Sequence, residues 1–300
     1  MTSQRLLFYE VRPDKWDEAK QLRKFLTRGF VFRGQASKLW PLKTSIERAT
    51  EQFSGDFEAI WDQENLMLSK FKSRAHQYVQ SPPNDNETLE WLALIRHYGG
   101  VSRLLDFTES FYIASFFAME DAREDACVWA INDIQLILNA LDNGINLDHS
   151  KDYPYNLEPV LRYAESFVGS PNKQDLVLRV VPYRMNERIS VQQGAFLFPC
   201  NVAKSFASNL CASFKFPFNS LESERATLVS PMDLNEQVRP AIGVVKIVLK
   251  KDYHTEAMKD LHEMNIDAAS LFPGLEGFAR SLKIRMRFLE KLSPTKDNQA

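Results

Sequence analysis

Cysteine is scarce in this chain. Cys127, Cys200 and Cys211 are the only three in 300 residues, an odd number with no CxxC pair. That pattern argues against both a disulfide framework and a cysteine-rich zinc site. His76, His97, His149, His254 and His262 show no HExxH spacing, so no metal is expected. No GxGxxG follows a strand-like run and no GxxxxGK[ST] occurs, which removes the two commonest nucleotide-binding loops. The opening MTSQRLLFYEVRPDKW lacks the apolar run of a signal peptide, and no window has the length of a membrane span. A cytoplasmic protein with no membrane partner is the expectation. An excess of charge is missing too: the formal net charge is −2, with no global pull toward nucleic acid or anionic lipid. The one basic run, KIRMRFLEK, reads first as a solvated helix face.

What is present is an ordinary globular composition, 44% hydrophobic and 25% charged, with 21 phenylalanines that predict a bulky core. The length suits one large domain or two small ones. Residues 1–29 read as a strand (Leu6 to Val11) and a helix with Asp14 as candidate N-cap, closed by Gly29. GFVFRGQ reads as a buried strand ending at Arg33. From Phe57 to Tyr78 apolar residues recur at helical spacing, with Glu64 the one exception on the stripe. TLEWLALIRHY is a second helix that stops at Gly99-Gly100. VSRLLDFT is either a strand end or an ordered loop, SFYIASFFAMEDA a buried helix, ACVWAI a strand and DIQLILNAL a helix. Residues 142–175 read as an irregular insert, and 200–238 carry no clear pattern. LVLRVVPY and ISVQQGAFLF read as strands joined by a loop, AIGVVKIVLK as a strong strand, HTEAMKDLHEMNI as a helix, and a last helix runs from Leu275 toward Lys291 before a fraying tail, 291–300. Strands and helices alternate without regular βαβ spacing. The expected fold is therefore α+β, one domain over 30–290 with a mixed or antiparallel sheet and flanking helices.

Three segments hold candidate chemistry. Arg33 ends an apolar strand and precedes Gly34, where the backbone can turn or approach a ligand. Its planar fork suits a carboxylate or a phosphate, as ligand clamp or as structural ion pair. Glu64 on its apolar stripe needs a partner, with Arg33 and Arg48 favoured. RHYGGVSRLLDFTES gathers Arg96, His97, Tyr98, Arg103, Asp106 and Thr108 around a double glycine between two buried helices, as a ligand site would, with His97 a tunable acid or base. The alternative has Asp106 or Thr108 capping the next helix and Arg103 pairing with Asp106. In VQQGAF, Gln193 precedes a glycine inside a strand pattern, a place for a bulge or close backbone approach; its amide offers donor and acceptor but is a poor base. A polar strand edge is the plainer account.

FRGQ, PLKTSIER, the Glu64 helix, EWLALIRHYGGVSRLLDFTESFYIASFFA, ISVQQGAF and LFPGLEGFARSLK resemble, in that order, the segments of FRG-domain proteins, from Phe32 to Lys283. Arg96 stands where that family more often has Gln, and Phe107 where it more often has Trp. The strand-Arg-Gly opening is in turn similar to the first motif of ADP-ribosyltransferases. That resemblance implies an ADP-ribosyltransferase-like fold and NAD as substrate, without a metal. It implies that Arg33, Gln193 and His97 act on the substrate, and that Arg33, Gly34, Gln35, Tyr98, Arg103, Asp106 and Thr108 hold it. The product would be an ADP-ribosylated macromolecule, nucleic acid or protein, and the setting a toxin or phage-defence effector with an antitoxin or partner protein. Two non-enzymatic alternatives remain: a ligand- or nucleic-acid-binding module, and a protein-interaction domain.

Overall fold

The computed structural model describes residues 7–26, 29–142, 144, 158–168, 173–183, 187–217, 221, 226–234 and 242–289. The strands are β1 (Leu7–Val11), β2 (Phe30–Gln35), β3 (Leu105–Thr108), β4 (Ala126–Asn132), β5 (Val177–Val180), β6 (Gly194–Pro199), β7 (Thr227–Val229) and β8 (Ile242–Leu249). They form one sheet in the order β5–β6–β3–β2–β4–β8–β1–β7. β1 runs parallel to both its neighbours, and every other pair is antiparallel. The protein is thus α+β with a mixed sheet.

The helices are α1 (Trp16–Leu26), α2 (Ser45–Phe53), α3 (Ile60–Ala75), α4 (Thr88–His97), α5 (Phe111–Met119), α6 (Asp133–Asp142), α7 (Glu158–Glu165), α8 (Glu187–Val191), α9 (Phe206–Ser213), α10 (His254–Glu263), α11 (Ala268–Leu271) and α12 (Leu275–Leu289). They cover both faces of the sheet, which is why β4 and β8 are buried along their whole length. Alternation along β2 sorts its residues. Phe30 and Phe32 pack with Trp16, Phe111 and Leu261, while Val31 joins Trp129, Phe206 and Leu210 on the other face. No helix among the described residues is long and apolar enough to cross a membrane.

Several local expectations need correction. Asp14 does not cap α1: its carboxylate pairs with Lys250, and its backbone N–H donates to Glu18 Oε2 at 2.8 Å. β2 continues past Arg33 to Gln35, because Gly34 and Gln35 both keep pairing with β4. ISVQQGAFLF is not one strand. Residues 187–191 form α8, and a turn with Gln193 at φ 47° starts β6 at Gly194. A helix, α7, lies within 142–175, and α9 and β7 lie within 200–238. The cap of α5 is Ser110, whose Oγ accepts from the Ile113 N–H at 3.3 Å, rather than Asp106 or Thr108. The expected tail, 291–300, lies outside the described residues.

Candidate functional site

β2 and β3 share a single registered pair, Phe32 opposite Thr108. Where the two strands part, the Arg33 guanidinium reaches across and donates to the Asp106 carbonyl at 2.7 Å. A cavity of about 380 Å³ opens there. β2 and β3 form its floor, the end of α4 supplies Arg96 and His97, and α8 with its following turn supplies Arg188 and Gln192. Phe117 of α5, Phe272 after α11 and Arg280 of α12 close the remaining side.

The cavity is built on guanidinium groups. Arg96, in the last turn of α4, places Nε at 2.9 Å and Nη2 at 2.6 Å from Asp106 Oδ2. Arg33 lies 3.7 Å from the same carboxylate oxygen. Its Nε is buried and has no hydrogen-bond partner, an orphaned donor at the cavity. Burial pushes the Arg33 guanidinium down to about 10; Asp106 opposes this, and the charges of Arg96 and Arg48 add to it. It therefore stays charged at neutral pH. Arg280 forms a two-pronged pair with Glu120 and lies over the Phe272 ring at 4.2 Å. Arg188 lies over the same ring at 4.5 Å, and no carboxylate pairs with it among the described residues. Burial lowers its pKa. Four guanidinium groups thus meet two directly paired carboxylates, Asp106 and Glu120, and the excess is positive. His97 adds a half-buried imidazole held below its usual pKa range, first by burial and then by the Arg188 charge, so it is neutral near pH 7.

Five of the expected site residues line this cavity: Arg33, Gly34, His97, Asp106 and Thr108. Thr108 Oγ1 donates to the Gln192 carbonyl at 2.7 Å and accepts from the Ser110 N–H at 3.1 Å, tying the start of α5 to the QQG turn. The other four lie elsewhere. Arg103 is fully buried and pairs with Glu64, its Nε 2.9 and 2.8 Å from the two carboxylate oxygens. It therefore corrects two expectations at once: Glu64 is paired as expected, but with Arg103 rather than Arg33 or Arg48, and Arg103 does not pair with Asp106. Gln35, two residues further along β2 than Arg33, does not line the cavity: it accepts from Trp129 Nε1 at 2.7 Å and donates to the Pro41 carbonyl at 3.1 Å. Tyr98 projects outward beside His97, and Gln193 is exposed at its turn. Its neighbour Gln192 faces the cavity instead, with its amide donating to the Leu271 carbonyl at 2.9 Å.

Gly34 has a reason that strand periodicity does not reveal. A Cβ there would lie 2.0 Å from the Ala114 carbonyl oxygen, so α5 packs directly on the β2 backbone. Arg188, Phe272 and Arg280 escaped the sequence reading. The last two lie in LFPGLEGFARSLK, whose order in the chain was noted without a role, and Arg188 lies in a stretch that reads as loop.

Comparison with known proteins agrees with the sequence resemblance. The FRG domain matches residues 28–127, from just before β2 to the second residue of β4. No curated protein and no solved structure matches the chain. The cavity draws Arg33, Arg96, His97, Asp106 and Thr108 from the matched segment and Arg188, Gln192, Phe272 and Arg280 from beyond it. The chain carries an FRG domain over residues 28–127.

Proposed function

We propose that the cavity binds NAD by its pyrophosphate and that the protein is an ADP-ribosyltransferase-like enzyme acting on a macromolecule. The observation that carries this reading is the convergence of Arg33, Arg96, Arg188 and Arg280 on one cavity with, among the described residues, two carboxylates paired to them. A guanidinium fork binds phosphate oxygens with two parallel charge-assisted hydrogen bonds. The orphaned Arg33 Nε and Arg188, which has no carboxylate partner among the described residues, are the groups with capacity to spare. Phe117 offers an apolar ring for a base or nicotinamide, and the cavity volume falls within the range of small-molecule sites.

Support also comes from topology. The resemblance to ADP-ribosyltransferases expects an early arginine strand, a strand-helix unit and a late glutamine to meet. Here β2, β3 and β6 are neighbours in the sheet, with α5 directly after β3 and the QQG turn directly before β6. The late position is filled by Gln192 facing the cavity, not by Gln193.

In the reaction, the bond between nicotinamide and its ribose breaks, and the electron pair leaves with nicotinamide. The positive charge that develops on the ribose is met by an acceptor nucleophile, which gives up a proton. Asp106 is engaged by Arg96 and is a poor base for that proton. His97, neutral and at the cavity wall, is able to take it. Orientation by the arginines carries the larger share of the rate enhancement.

The test is to incubate the purified protein with NAD plus RNA, DNA or cell lysate, and to follow nicotinamide release and labelled product. Arg188→Ala should weaken NAD binding by one to two decades, the roughly 1.5–3 kcal/mol of lost charge-assisted bonds. NAD binding unchanged in both Arg188→Ala and Arg33→Ala would refute the reading.

A further inference from the structure

We propose that a second groove, beside the charged cavity, binds the acceptor as single-stranded nucleic acid. It has a volume of about 810 Å³ and lies between the C-terminal half of α3 and the end of α4. Phe71, Tyr78 and Tyr98 supply aromatic rings, and Lys70 and Arg74 supply charge. No carboxylate lines it among the described residues, and neither cation forms an ion pair there.

Exposure is what makes these rings unusual. Tyr78 is 81% and Tyr98 65% exposed, although a tyrosine ring gains by burial. Two large, solvated ring faces with cations beside them form a surface on which unpaired bases stack while the backbone phosphates meet the charges. Lys70, Arg74 and Tyr78 follow at steps of four along α3 and the turn after it, so they share one side. The turn continues helically, with the Tyr78 N–H donating to the Ala75 carbonyl at 2.9 Å. A duplex hides its base faces and has no use for exposed rings. A peptide would leave the two cations without partners unless it were acidic.

Position links the groove to the cavity. At the end of α4, His97 and Gly99 face the cavity, while Tyr98 between them faces the groove. The His97 and Tyr98 rings touch edge to face with centroids 4.8 Å apart. A nucleotide stacked on Tyr98 therefore lies one residue away from the proposed NAD site. The assignment of an acceptor rests on the NAD reading; the binding of nucleic acid does not.

The experiment measures anisotropy of labelled oligo-U and oligo-dT of about 15 nucleotides, and of a duplex of equal length, on the full chain. Single strands should bind at about 50 mM salt and more tightly than the duplex. Tyr78→Ala should weaken them about five- to hundredfold and Tyr78→Phe much less, with NAD affinity unchanged in both. Replacing Lys70 and Arg74 together by Gln should lower the slope of log affinity against log salt by about 1.4. Failure of single strands to bind, equal binding by Tyr78→Ala, preference for duplex, or displacement by an acidic peptide but not by unlabelled oligo-U would each overturn the proposal. If oligonucleotides bind through Tyr78 while NAD does not bind at all, the NAD reading fails and the groove stands. If NAD binds and oligonucleotides do not, the groove fails and the NAD reading stands.

Discussion

Arg103 and Arg188 carry the same guanidinium in opposite surroundings, and the surroundings decide what each does. Arg103 is sealed against Glu64 and the Phe198 ring, 5.2 Å away, so removing it strands a buried carboxylate. Arg103→Ala should cost about 3–5 kcal/mol in urea unfolding, as for other buried pairs broken on one side. Arg188 is half-buried on a short helix with no carboxylate partner among the described residues, and Arg188→Ala should change stability by no more than about 0.5 kcal/mol while NAD affinity falls. His97 makes a pH prediction. Its folded pKa lies below its ordinary value of 6.5, so as pH falls the unfolded chain takes up the proton first. Stability from His97 is therefore present above that value and is lost as pH falls through the folded pKa. Ligand binding runs the other way: a protonated His97 adds positive charge at the cavity, while a pyrophosphate keeps its charge over about pH 5 to 8. NAD affinity measured by calorimetry should rise roughly two- to tenfold on acidification across the imidazole titration. His97→Gln should flatten that dependence.

At the level of elements, the site depends on how closely α5 lies on β2. Gly34 allows that approach, because an added Cβ would also lie 2.6 Å from the Ala118 nitrogen, and both neighbours are backbone atoms unable to rotate away. Gly34→Ala should therefore destabilise by at least the roughly 1–3 kcal/mol typical of overpacking, read as a lower Tm, although the new methyl group is small and apolar. A Tm unchanged by Gly34→Ala would show that α5 is not so close. The parallel pairing of β1 with β8 has its own lock. Lys246, buried in the middle of β8, is in register with Glu10 of β1, 3.9 Å from its carboxylate and 5.2 Å over the Trp129 ring. A charge in a strand that otherwise reads as all apolar is satisfied across the strand pair, which holds that register against a slip.

Across the whole molecule, the matched segment 28–127 holds β2 and β3 but not the strands that complete their sheet. β6 pairs with β3, and β4 pairs with β2, so a fragment of 28–127 alone would bare both edges and lose Arg188, Phe272 and Arg280 from the cavity. Such a fragment should show no cooperative unfolding transition and no NAD binding, whereas the full chain should show both. The sequence by itself determined the class of fold and most elements: apolar periodicity placed α3, because burial of one face leaves its period in the residues, the double glycine marked the end of α4, and continuous apolar runs placed α5, β4 and β8, which are buried almost throughout. It also marked Glu64 as needing a cation, since an unpaired carboxylate on an apolar stripe is too costly to persist. The tertiary structure alone decided which arginine answers it. Arg33, Arg48 and Arg103 are chemically alike, and the choice of Arg103 follows from where α3 crosses the segment before β3. The same holds for the cavity. Arg188 and Arg280 lie far along the chain from Arg33, and only the adjacency of β6, β3 and β2, with α12 folded back over α5, brings their charges together. Local sequence encodes burial and periodicity. Which distant like charges end up neighbours is set by the packing of whole elements, and no short stretch of residues records it.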